Sequence, residues 1–293
     1  MKLNLLKNLL YHTQEGVWNF LTTYSNHKYN IYTKLGKFIY FQHKEEEALK
    51  PLIVAHIDTI NDMYDDYVPL EDMEVVGDTL KLIETSKAHC LGGDDRVGVY
   101  CLLDMMDRNM KADFLFTCYE EVGGEGAKEF STYKDFNNWS CLIEIDRAGT
   151  NHLATYGYDN KELEEIFNLP IQYGTYTDIC DIAKTSGIAG YNIACGYYRQ
   201  HTPNEYIKLS EVDWVLNLLS EELIEKLSTK QFKHNYKPLY YGWDMGEEKE
   251  DEEEDEGVGS YIYNNYEKCD YCGTYTYTNQ YGFCKTCMEE DWK

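Results

Sequence analysis

Over the first 243 residues, short unbroken apolar runs alternate with stretches whose apolar residues recur at helical spacing. The runs fall at residues 38–41, 52–55, 114–118, 142–145 and 193–195. Continuous apolar runs this short are what strands covered on both faces look like. Helical periodicity predicts helices over 96–107, 126–132, 161–167, 179–185 and 210–227. The opening segment, MKLNLLKNLLYHTQEGVW, is interrupted by Asn4, Lys7 and Asn8, and reads as an amphipathic helix rather than a secretory signal. Strands alternating with helices predict an α/β layered sheet. Ligands of such sheets gather beyond the carboxyl ends of the strands, so the polar residues at those ends carry the chemistry.

Five segments place metal-capable side chains at or after an apolar run: LIVAHID, LGGDD, FTCYEE, LIEID and YYRQH. They supply His56, Asp94, Glu121, Asp146 and His201. Residues two apart lie on one face of a strand, so Asp58 is placed to accept the second ring N–H of His56 and fix its tautomer. Gly92 and Gly93 allow a close backbone approach that would project Asp94 at the mouth of the sheet, while Asp95 could simply cap the following helix. Glu120 and Glu121 are adjacent carboxylates, which at a buried strand end are costly unless protonated or neutralised by cations. The plainer alternative is an exposed pair opening a loop. Two histidines and three carboxylates together suit two divalent cations with one acid bridging both. Zinc accepts this donor set, and cobalt or manganese can replace it.

The ordered series AHIDT, LGGDDRVG, YEEVGGEGA, EID and HTPNE resembles the co-catalytic dinuclear zinc exopeptidases, among them peptidase T and the glutamyl, tetrahedral and leucine-type aminopeptidases. The resemblance runs from about residue 50 to 225. It implies a three-layer mixed sheet flanked by helices and a cis peptide after Asp94. It also implies that Asp94 bridges two metals held further by His56, Glu121, Asp146 and His201. Glu120 would be the general base, and Asp58 the aspartate supporting the site. On the substrate side, YGTYTD around Asp178 resembles the family's Thr-Asp segment, a candidate for binding a peptide terminus or merely a helix cap. Relatives carry extra domains that this chain lacks room for: 37 residues separate His56 from Asp94, and 54 separate Asp146 from His201. An oxyanion donor from such a lid domain or from a partner subunit is therefore not expected, and Tyr197, Tyr198 or Arg199, beside His201, is the candidate replacement. Three of the four arginines, Arg96, Arg147 and Arg199, flank the proposed ligands. They read either as counter-charges or, for Arg147 and Arg199, as binders of a substrate carboxylate. The expected activity is hydrolysis of a peptide or related amide bond, with aminopeptidase preferred over carboxypeptidase or deacylase. The alternative is a catalytically silent binding module.

Charge and cysteines refine this. The net charge of -25 argues against nucleic-acid and anionic-membrane partners, and no apolar run is long enough to span a membrane. A cytoplasmic protein acting on a peptide or acyl-amino acid is expected. Residues 244–256 read DMGEEKEDEEEDE, ten acids against one lysine, which predicts a solvated linker over 244–257 between a catalytic domain (1–243) and a tail (258–293). In the tail, Cys269-x2-Cys272 and Cys284-x2-Cys287 are separated by 11 residues, the spacing of a structural zinc ribbon held by four cysteines. Such a ribbon would serve as a structural module or a docking site for a protein partner. The other six cysteines read as small buried hydrophobes.

Overall fold

All five apolar runs end up in one mixed sheet, since neither face of such strands can be left in water. The computed structural model describes residues 1–45, 49–64, 66–133 and 138–235, and the strands Tyr263–Lys268 and Tyr275–Asn279. It divides into two units, Met1–Tyr240 and Tyr241–Lys293. Strands of the first unit are β1 (Tyr29–Lys34), β2 (Phe38–His43), β3 (Lys50–His56), β4 (Met73–Val76), β5 (Thr79–Leu82), β6 (Asp113–Thr117) and β7 (Trp139–Arg147). They continue with β8 (Leu153–Thr155), β9 (Ile171–Tyr173), β10 (Gly190–Ala194), β11 (Tyr197–Tyr198) and β12 (Tyr206–Lys208). Its helices are α1 (Leu3–Tyr11), α2 (Gln14–Thr23), α3 (Ile60–Met63), α4 (Gly93–Asp107), α5 (Glu125–Phe130), α6 (Lys161–Phe167), α7 (Asp178–Ser186), α8 (Leu209–Leu218) and α9 (Glu221–Leu227).

The main sheet has eight strands in the order β1-β2-β6-β3-β7-β10-β8-β9. Its centre, β6, β3, β7 and β10, is parallel. Side chains alternate between two cores. Ile53, Ala55, Phe114, Phe116, Ile143 and Ile145 join the larger one with α1, α4, α8 and α9. Leu52, Val54, Leu115 and Leu142 join the smaller one with Phe130 of α5 and Ile179, Ile182 and Ala183 of α7. Helices on both faces of a sheet give the expected three-layer α/β architecture.

The second sheet, β11-β12-β5-β4, was not foreseen from the hydrophobic pattern. Its strands are two to four residues long and half exposed, so they make no apolar run. The single helix expected over 210–227 is two, because the Ser220 hydroxyl accepts the Leu223 N–H at 3.3 Å and starts α9 afresh. The opening segment likewise divides into α1 and α2, with the Thr13 hydroxyl accepting the Gly16 N–H at 3.3 Å. No described helix is long and apolar enough to cross a membrane. In the second unit, β13 (Tyr263–Lys268) and β14 (Tyr275–Asn279) pair antiparallel. The acidic segment 244–256 and the four tail cysteines, Cys269, Cys272, Cys284 and Cys287, lie outside the described residues.

Helix α4 packs on β3 and β7, and at Gly98 it comes tight against the β7 backbone. A Cβ there would collide with the Ile145 carbonyl oxygen and the Asp95 carboxylate. Backbone cannot move aside as a flexible side chain can. Gly98→Ala is therefore expected to lose at least the about 1–3 kcal/mol typical of overpacked cores. Denaturant unfolding checks this, and an unchanged midpoint would refute the packing described.

Candidate metal centre

Because β3, β6 and β7 run parallel side by side, their carboxyl ends share one edge of the sheet. β3 ends at His56, β7 carries Asp146 near its end, and the loop after β6 carries Glu120 and Glu121. Asp94 comes from the start of α4, and His201 from the turn between β11 and β12 of the second sheet. The hairpin β4-β5 that completes this sheet lies in the segment between His56 and Asp94.

These residues converge. His56 Nε2 is 3.0 Å from Asp94 Oδ1 and 3.6 Å from Asp146 Oδ1. His201 Nε2 is 3.3 Å from Asp94 Oδ2 and 2.9 Å from Glu121 Oε1. Two three-residue sets result, His56–Asp94–Asp146 and Asp94–Glu121–His201, each with its ligand atoms within 4.8 Å of one another. Asp94 is common to both, one oxygen facing each set. The peptide between Asp94 and Asp95 is cis.

Supporting contacts fix the sets in place. His56 Nδ1 donates to the Asp58 carbonyl oxygen at 3.0 Å rather than to its carboxylate, which lies 3.5 Å away. The Asp58 carboxylate instead accepts the Glu120 and Glu121 N–H groups, both at 3.1 Å. The strand has ended by then, so the two-residue alternation expected of Asp58 no longer applies. The Asn192 side chain brackets the Asp146 peptide, accepting its N–H at 2.8 Å and donating to its carbonyl at 2.9 Å. Tyr197 donates to Asp146 Oδ1 at 3.1 Å. Glu205 joins the two ligand loops on either side of Asp94: its carboxylate accepts the Gly92 N–H at 2.8 Å and the Asp94 N–H at 3.1 Å, and its own N–H bonds the Thr202 carbonyl at 3.0 Å. Gly93 has no room for a side chain, since a Cβ would fall 2.9 Å from the Glu205 carboxylate. Tyr119, Arg199 and His201 all adopt left-handed backbone (φ 62, 57 and 60), a conformation that L-residues keep only where surroundings enforce it.

The other expected site residues are placed less uniformly. Asp178 is fully buried; Thr117 donates to its Oδ2, and its Oδ1 has no partner among the described residues. The Tyr198 hydroxyl is taken by Glu211 at 2.6 Å and its ring stacks on Tyr206, so Tyr197 rather than Tyr198 reaches the cluster. Arg96 is buried and paired with Asp62 at 3.2 Å. Arg147 is half-buried and Arg199 exposed, and neither is in an ion pair among the described residues. The sequence reading did not single out Glu144, Asn192 or Glu205. Glu144 was visible as a lone charge inside the apolar run LIEID, and Glu205 closes the quoted HTPNE motif.

Electrostatics set the terms of the site. Burial, reinforced by Asp178, Asp146 and Asp94 and opposed by His56, pushes Glu120 up to about 9. Burial likewise raises Asp146 to about 6, Asp178 to about 7 and Glu205 to about 7. Its bonds to Asp94 and Glu121 carry His201 up to about 10. Burial would raise Asp94, but His201 and His56 hold it below the ordinary carboxylate range. Glu144 is buried with Oε1 unpartnered among the described residues. This excess of shielded acid, arranged as nitrogen-and-oxygen sets around a shared carboxylate, fits a pair of divalent cations of the zinc, cobalt or manganese type.

No family model matches the sequence, and no curated protein matches it. Solved structures do share its fold. An aminopeptidase PepT from Bacillus cereus superposes with a TM-score of 0.59 at 12% identity, over 78% of this chain and 98% of that one. A tripeptidase from Staphylococcus aureus gives 0.58 at 13%, over 78% and 98%. The TET1 peptidase of Pyrococcus horikoshii gives 0.53 at 13%, over 76% and 99%. The α/β architecture implied by the motifs is thus the architecture of these peptidases.

Chelation should expose the electrostatic cost in a pH-dependent way. Without cations, Asp146, Asp178, Glu205 and Glu120 bind protons in the fold up to about 6, 7, 7 and 9, whereas unfolded carboxyls release theirs near about 4. The stabilising protonation of His201 is complete below about 6.5 and is lost on the way to about 10. Both effects make the metal-free fold hold more protons than the unfolded chain between about pH 5 and 9, so its stability falls as pH rises. The drop in Tm caused by a strong chelator should be small at about pH 5.5 and large at about pH 8.5. A drop independent of pH would contradict this.

Proposed function

We propose that this chain is a dinuclear metallo-exopeptidase, an aminopeptidase in its preferred direction, with zinc as the expected metal. The observation that carries the reading is the division of the Asp94 carboxylate between two His-and-carboxylate sets with Glu120 beside them. The peptidase neighbours in fold support a peptide as the substrate; an acyl-amino acid is the alternative.

His56, Asp94 and Asp146 would hold one cation, and Asp94, Glu121 and His201 the other. When bound, the pair supplies an acidified water and a positive charge to polarise the scissile carbonyl. Glu120 takes a proton from the attacking water and delivers it to the departing amine as the C–N bond breaks. Its shielded position raises its proton affinity, and cations held beside it would bring that affinity down towards neutral pH. The Asp58 bonds to two successive N–H groups fix the backbone of both glutamates, so base and ligand keep their separation. Tyr197 orients Asp146 through its hydroxyl. Asp178 is the candidate for the ammonium of a peptide's first residue; its unpartnered oxygen is buried, so the substrate would have to displace what covers it. Arg147 and Arg199 are the candidates for a substrate carboxylate. In the tail, a structural zinc on Cys269, Cys272, Cys284 and Cys287 and a protein-docking role for the ribbon complete the proposal, together with a cytoplasmic location.

Glu120→Gln keeps the shape but removes the base. It should lower kcat on a free-amino peptide by roughly 10²–10⁴-fold while two metals per catalytic domain remain bound. Comparing free with N-blocked peptides reads the direction. Activity on blocked peptides alone would replace the aminopeptidase reading with a deacylase. Unchanged kcat in the variant would remove Glu120 from the mechanism.

A further inference from the structure

A groove of about 550 Å³ is lined by the paired strands β5 and β12, the loop after β5, and Arg199, Pro203, Asn204 and Glu205 of the turn that carries His201. Its cationic lining is Lys81, Arg199 and Lys208, in a chain whose net charge is -25. Two acids also line it, Glu84 and Glu205. Glu205 is turned inward, since its carboxylate serves the Gly92 and Asp94 N–H groups. Lys81 pairs with Glu74 at 3.1 Å, but both side chains are 40% exposed, so water screens the pair and it opens readily. The ammonium of Lys208 bonds the neutral Thr79 hydroxyl at 2.7 Å and lies 5.7 Å over the Tyr206 ring. Asp78 feels the Lys208 charge, but Ser210 occupies its oxygens through an N–H at 2.9 Å and a hydroxyl at 2.5 Å. Arg199 is in no ion pair among the described residues and sits two positions before His201.

A protein this acidic repels anions at long range. Screening confines that repulsion to about 8–10 Å at ordinary salt, so a local cluster of cations can reverse it. Arg199 offers planar, paired donors suited to a carboxylate, and Lys208 a mobile point charge. Arg199, Pro203, Asn204 and Glu205, which flank His201 in sequence, line the groove, and Glu205 also accepts the Asp94 N–H, so the groove adjoins the loop that carries the shared carboxylate. We infer that this groove binds a carboxylate of the substrate, either an acidic side chain or a free C-terminus, and so selects anionic peptides. The inference rests on the peptidase reading for its substrate, though binding alone can test it.

The test uses the metal-loaded full chain and matched peptides: glutamate against glutamine at each position, and free acid against C-terminal amide. For wild type, the anionic member should be favoured at least tenfold in kcat/KM, and about 0.5 M salt should erode the preference by about the amount that screening removes. In Arg199→Met with Lys208→Met, that ratio should fall at least tenfold. The arm that responds, side chain or terminus, identifies the group bound. The same peptides are titrated into Glu120→Gln protein by calorimetry, where turnover does not interfere. A charge preference in affinity that the double substitution abolishes upholds the groove even if no peptide is cleaved, in which case the peptidase reading alone fails. Equal affinity for charged and neutral members in wild type, or a preference untouched by both substitutions and by salt, overturns the groove while leaving peptidase activity standing.

Discussion

Nine carboxylates crowd around two imidazoles at the mouth of the main sheet: Asp58, Asp94, Asp95, Glu120, Glu121, Glu144, Asp146, Asp178 and Glu205. They cannot all ionise in a shielded space, and most have their protons held well past the ordinary carboxylate range. One buried guanidinium, Arg96, is far too little to balance them, and it is directly paired with Asp62 instead. Cations balance such a cluster where protons only suppress it. The arrangement divides the acids by task. His56, Asp146, Glu121 and His201 gather with Asp94 in two sets, while Asp58 accepts the Glu120 and Glu121 N–H groups, Asp95 those of His56 and Gly98, and Glu205 those of Gly92 and Asp94.

The scaffold makes this possible by opposing two kinds of sheet. Parallel central strands, buried on both faces, bring His56, Asp146 and the Glu120–Glu121 loop to one edge with little freedom. The small antiparallel sheet supplies His201 from a turn that the strands on either side constrain. Glu205 is where the two meet, since it belongs to the His201 turn yet carries the backbone of the Asp94 loop. Displacement of either loop would therefore move ligands on both sides of the shared carboxylate.

Sequence made the central strands plain, because a strand covered on both faces must be largely apolar: β2, β3, β6 and β7 each contain most or all of an apolar run, and β10 (190–194) overlaps the run 193–195 at its end. Helix α6 falls at its periodic stretch, 161–167. The small sheet was illegible for the converse reason. Its strands are short and half exposed, and what holds them is pairing between segments more than a hundred residues apart. The breaks at Thr13 and Ser220 turn on single capping hydroxyls, which hydrophobic periodicity does not register. In the site, the ligand candidates stood out as polar residues ending apolar runs. Their supports did not. Asp58 was expected to bond a ring and instead bonds two peptide groups, and Asn192 and Glu205 act on backbone, which leaves no trace in residue type.

Two cations sharing Asp94 are what this arrangement of acids and imidazoles requires. Crystals of the full chain grown with zinc, measured at the zinc absorption edge, test this directly. The predicted anomalous map has two peaks in the first unit, apart from any at the cysteine tail. Each should lie about 2.0–2.2 Å from one Asp94 oxygen, one with His56 and Asp146 and the other with Glu121 and His201. A single peak that leaves one of those sets empty, or no peak between the two histidines, would contradict it.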